Sequence, residues 1–132
     1  MKRLMLASII YAVLALVGGV FYREFTKVNG FTDFTTFSVV HTHYLMLGMV
    51  LFLLLVLVEK NYSFINDKVR KYLLLYHIGL NLTVVMLVVR GVVQVLSLDV
   101  SSVVLFGIAH LILGISMVLV LLSIRNCIKD SF

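Results

Sequence analysis

Four histidines, His41, His43, His77 and His110, stand inside stretches of the chain that are otherwise apolar enough to span a bilayer. An imidazole is costly in hydrocarbon, and one that is kept there faces a bundle interior and serves a site or a hydrogen bond. Neutral imidazole is also the commonest protein ligand for metals and a standard ligand for haem iron. These residue types therefore allow ligation of haem or a divalent metal, a proton relay, or hydrogen bonding between helices. Arg90 is the other charged group inside an apolar stretch. Glu24, Asp99 or an anionic cofactor group such as a haem propionate would suit its guanidinium, with snorkelling to the interface as the alternative.

Spacing divides the histidines. Residues two apart on an α-helix point roughly 200° apart, so His41 and His43 do not both face one central site. His41 shares a face with Gly48, and His43 with Met46 and Leu47. Gly107, His110, Gly114 and Met117 form one stripe of a helix. A glycine on either side of a histidine is what a flat macrocycle lying against a helix requires, and glycine equally serves close packing of membrane helices. Ser8, Tyr11, Ala15, Gly18 and Tyr22 form a small and hydroxylated stripe suited to the bundle centre. His77 and Asn81 share a face and are expected to hydrogen-bond between helices, while Thr83, Arg90 and Gln94 lie nearly opposite.

The elements that must carry these residues follow from composition. Of 132 residues, 62% are hydrophobic, 13% are charged and none is proline, and the mean hydropathy is +1.14. This predicts an all-α integral membrane protein. A span needs about 20 apolar residues, and the chain offers such stretches at about 4–22, 37–58, 71–96 and 102–124. One four-helix domain then fills 1–132, with connections at 23–36, 59–70 and 97–101 and no soluble catalytic domain. The first stretch is read as a helix and not a signal peptide, because it is long and Gly18 to Arg23 offers no small-x-small cleavage site. The first connection is rich in Phe and Thr, turns at Asn29-Gly30, and is expected to lie at the outer interface. Thr35 or Thr36 is expected to cap the second helix, and Ser101 or Ser102 the fourth.

Basic residues set the orientation. Lys2, Arg3, Lys60, Lys68, Arg70, Lys71, Arg125 and Lys129 fall on one side, against Arg23 and Lys27 on the other. The positive-inside rule then places both termini in the cytoplasm. The net charge of +5 reports topology and contact with anionic lipid, and implies no nucleic acid. Cys127, the single cysteine, excludes an intrachain disulfide or a Cys-based metal site.

Counting about 1.5 Å of rise per residue puts His41, His43, His110 and Arg90 in one outer layer and His77 in the inner half. Haem is preferred to zinc or copper for this layer, because no carboxylate or thiolate joins the imidazoles and the surroundings are apolar and glycine-bearing. The expected site is haem b, with His110 as one axial ligand and His43 or His41 as the other. Arg90, Gly48, Gly107 and Gly114 accompany it. A divalent metal on His41, His43, His77 and His110 is the alternative site.

His41-Thr42-His43-Tyr44-Leu45-Met46-Leu47-Gly48, Phe21 to Thr26, and Ala109-His110-Leu111-Ile112-Leu113-Gly114 carry a resemblance. Together they resemble a family of small four-helix bacterial membrane proteins of uncharacterised function, over the whole chain. The HTHxxxLG segment is also similar to histidine-bearing helices of the haem-copper oxidase and nitric oxide reductase superfamily. That likeness covers barely one helix. The oxidases have about twelve helices and an adjacent histidine pair beside copper, and this chain has neither. The whole-chain resemblance implies a bacterial cytoplasmic-membrane protein, and the histidine layer gives the expected role, haem binding for electron transfer, gas sensing or haem handling. A cofactor-free accessory or transport subunit with a histidine proton relay is the other class. Either is expected to work as a homo-oligomer or as a subunit of a membrane complex.

Overall fold

The structure is a computed structural model describing residues 1–98 and 103–129. Its elements are α1 (Lys2–Val28), α2 (Phe37–Tyr62), α3 (Asp67–Val95) and α4 (Val103–Lys129). Among the described residues all regular structure is helical, and all four helices are long and apolar enough to cross a membrane. The chain has no proline to break a helix, and helices satisfy every backbone group internally where water is absent.

Local chemistry ends the helices. Past α1, Gly30 takes φ +60 and Phe31 N–H reaches Thr26 O at 2.9 Å, a left-handed closure that glycine adopts at least cost. Asn66 opens α3, its Oδ1 accepting from Val69 N–H at 3.0 Å. Thr36 precedes α2, but its hydroxyl donates to Leu87 O at 2.9 Å and caps no helix N–H. Thr35 Oγ1 accepts a long bond from Phe37 N–H at 3.4 Å. Asp99 and the caps expected at Ser101 or Ser102 lie outside the described residues.

The helices outrun the expected spans. Residues 23–28 continue α1 instead of opening a loop, because Phe21 stacks on Phe25 at 5.2 Å and both meet Phe37, at 5.4 and 5.5 Å. That aromatic cluster fixes the far end of the bundle. At the opposite, terminal end, Lys2, Arg3, Glu59 and Arg70 surround one cavity, and Ser63, Lys68, Asn126 and Cys127 another.

Packing is uneven. α1 lies along α2, and α3 carries α4 along its length. A Cβ at Gly79 would stand 2.8 Å from Leu113 N, so the α3 and α4 backbones nearly touch there. α4 approaches α2 chiefly over Leu51–Tyr62, towards the terminal end. Tyr11, Phe52, Tyr76, Leu80 and Leu113 belong to the buried core. Outward, Leu16, Val20, Leu74 and Leu111 are all more than half exposed, as a lipid-facing surface requires.

α2 is not a regular α-helix. His43–Val50 is π-helical between the α-helical turns Phe37–Thr42 and Leu51–Tyr62. Hydroxyls from the other helices bond this stretch: Tyr76 Oη donates to Leu47 O at 2.7 Å, and Ser8 Oγ donates to Met49 O at 2.9 Å. π-Helical stretches are rare and frequent at functional sites.

Candidate functional site

Two polar centres sit in the apolar bundle. The first begins at the first residue of the π-helical stretch. The start of α2 is fixed to α3, where Thr36 N–H donates to Gln94 Oε1 at 2.9 Å and the Phe37 ring fills the space beside Gly91. One turn on, His43 Nδ1 lies 2.8 Å from Val39 O. A carbonyl only accepts, so Nδ1 carries the proton and Nε2 keeps its lone pair, the arrangement that orients ligating histidines. The rings of His43 and His110 lie 6.0 Å apart, centroid to centroid, at 89°. His110 is exposed, and a Cβ at Gly107 or Gly114 would meet nothing among the described residues within 4 Å. A hollow of ≈ 440 Å³ lies beside His110, with Gly114 and Met117 in its wall.

The second centre gathers Tyr11, Tyr44, His77 and Asn81, and its hydrogen bonds can be assigned in sequence. Asn81 Nδ2 is 2.8 Å from the His77 carbonyl, which requires the amide nitrogen there. The same nitrogen donates to Tyr11 Oη at 3.0 Å, and Asn81 Oδ1 accepts from Tyr44 Oη at 2.9 Å. Tyr11 Oη therefore spends its own hydrogen on His77 Nδ1, 2.6 Å away. Neutral His77 then holds its proton on Nε2. Phe52 stacks on the His77 ring at 4.6 Å and Tyr11 at 5.6 Å, which locks its plane.

The expected site residues separate accordingly. His43, His110, Gly107 and Gly114 come together. His41 turns to α1, where a Cβ at Gly19 would be 3.8 Å from its Cβ, and its Nδ1 is buried without a hydrogen-bond partner among the described residues. Gly48 also faces α1 and is already filled: a Cβ there would stand 2.5 Å from Tyr11 Cγ, leaving no room for a macrocycle. Arg90 is exposed near the far end of α3. Glu24, one of its candidate partners, lies 3.8 Å from Arg23. The set His41, His43, His77 and His110 does not assemble around one ion, since His77 belongs to the Tyr11 network and His41 to the α1 contact. Among the described residues no group of three or more His, Cys, Asp or Glu is placed to hold a metal ion.

The Tyr11 network was not foreseen as a unit, although its parts were visible. The Ser8, Tyr11, Ala15 stripe is buried, and His77 shares its face with Asn81. Counting about 1.5 Å per residue from the terminal end puts Tyr11 and His77 at similar depth, which was the signal that joins them.

No curated protein and no solved structure matches the chain. A family model described as a protein of unknown function (DUF2871) matches residues 1–127, and the chain belongs to that family.

Proposed function

We propose that the protein is a haem b-binding membrane protein whose axial ligands are His43 and His110. The observation that carries this is their ring pair. With metal–imidazole bonds of about 2 Å, two axial rings on one iron stand with centroids roughly 6 Å apart, and the observed separation is 6.0 Å. The Val39 carbonyl on His43 Nδ1 leaves Nε2 available, and the open flanks of Gly107 and Gly114 give a flat macrocycle a surface to lie on. Two imidazoles without a third ligand suit haem, which supplies its own equatorial nitrogens, better than a bare divalent ion.

The bound group would supply one-electron transfer, or gas binding where one axial position opens. The chain's own part is to fix the orientation of the His43 ring through Val39 O and exclude water with α2 and α4. Arg90, near the far end of α3, is the residue of this layer suited to a propionate. The basic terminal end faces the cytoplasm of a bacterial cell, giving an N-in, C-in topology. An exposed His110 face is consistent with closure of the site by a second copy or a membrane-complex partner.

The test is titration of haemin into the haem-depleted protein in mild detergent. A saturable Soret shift at about one haem per chain that is lost in both His43→Ala and His110→Ala supports the assignment. Equal binding by the wild type and both variants would overturn it.

A further inference from the structure

At the terminal end, a cavity of ≈ 640 Å³ is bounded by α1 and α3 and by α2 at Phe52 and Glu59. Its floor is apolar, with Leu4, Phe52, Leu73 and Leu74, and its mouth carries Lys2, Arg3 and Arg70. Arg70 also pairs with Asp67 at 3.1 Å on the exposed side. Glu59 is the acidic residue of the lining, and its Oε2 accepts from Ile65 N–H at 3.0 Å. His77 lines the cavity from α3, seven residues on from Arg70, or roughly 10 Å of helix rise.

The tautomer of His77 decides what the cavity offers. Tyr11 occupies its Nδ1 edge, and Phe52 and Tyr11 stack on its ring, so the edge left for the cavity carries the Nε2–H. A donor at the deep end and three cations at the mouth, on apolar walls, select for oxygen acceptors and negative charge. Basic side chains at a membrane boundary are ordinary, but a tautomer-fixed imidazole inside the hydrocarbon that lines the same cavity is not.

We propose that this cavity binds an amphipathic anion, a phosphate or carboxylate on an apolar chain, with its charge among Lys2, Arg3 and Arg70 and its body against Phe52, Leu73 and Leu74. The site is independent of the haem assignment and stands or falls separately. Both an anionic lipid of the inner leaflet and a free amphiphile carry this chemistry.

The experiment is calorimetric titration of dodecyl phosphate into the full chain in phosphatidylcholine nanodiscs, with empty nanodiscs subtracted. One site per chain is expected. Arg3→Gln/Arg70→Gln should weaken binding at least about tenfold, whereas Lys60→Gln/Lys71→Gln, at the same membrane end but outside the cavity, should not. Leu74→Trp, which adds bulk to the apolar wall from an exposed position, should block binding without disturbing the core. Dodecanol should bind at least about tenfold more weakly than the phosphate. Competition by added phosphatidylglycerol would identify the lipid as the source, and unchanged affinity a free amphiphile; both support the site. Absent binding, equal affinity for dodecanol, or equal losses in the two double variants would overturn it, and none of these results bears on the Soret band.

Discussion

The two polar centres treat the same residue type in opposite ways. His77 is held within the bundle: Tyr11 closes its Nδ1, Phe52 stacks on its ring, and the Asn81 amide is shared among Tyr11, Tyr44 and the His77 carbonyl. His43 has one nitrogen set by Val39 and approaches an exposed His110 where α4 has little backbone contact with α2 and two glycines leave the surface bare. A polar group in hydrocarbon needs a partner. In the Tyr11 network Tyr11, Tyr44, His77 and Asn81 supply one another's partners, and His43 takes the Val39 carbonyl on one nitrogen. The first centre is thereby tied into the bundle through His77 Nδ1, and the second is where we propose a bound group.

Substitutions can break or sharpen this contrast. The largest effect expected is at His110: His110→Ala should abolish the haem Soret band while leaving the far-UV circular dichroism melt of the haem-free protein unchanged. An intact band would remove His110 from the ligand set. Gly79→Ala should act oppositely. Its new methyl meets the Leu113 backbone, which has no side-chain rotamer to yield, and the loss should be about 3 kcal/mol in detergent unfolding. A melt within error of wild type would show that α3 and α4 are not so closely apposed.

Asn81→Leu should cost about 2 kcal/mol, because Tyr44 and Tyr11 each lose a partner in the interior. The haem stoichiometry should not change, and a parallel loss of haem would show that the two centres are one. Ser8→Ala should cost about 1 kcal/mol by removing the bond to Met49 O in the π-helical stretch, read from the same unfolding curves. Smallest in stability is Gly114→Leu, expected within about 0.5 kcal/mol of wild type because open space surrounds that position. It should nevertheless weaken haem binding, and undiminished haem affinity would place the macrocycle elsewhere.

Much of the fold was legible in the sequence. Four proline-free apolar stretches dictated four helices, and the Ser8, Tyr11, Ala15 stripe marked the buried face of α1. The two-residue spacing also separated His41 from His43, and the structure turns His41 toward α1 and brings His43 to His110. What was not legible depends on other helices. The π-helical stretch at His43–Val50 has no local signature; the hydroxyls of Tyr76 and Ser8 bond its carbonyls from α3 and α1. The extra turns of α1 rest on Phe25 meeting Phe37, a contact no local propensity encodes. Gly48 read as a macrocycle neighbour because helical spacing gives a residue's face and not its occupant, which is Tyr11.

The central claim is tested most directly by the reduced-minus-oxidised visible spectrum of the protein purified in mild detergent from haem-replete cells, with a pyridine haemochrome assay for stoichiometry. Sharp α and Soret bands at about one b-type haem per chain are the predicted result. A colourless protein that takes up no added haem would contradict it.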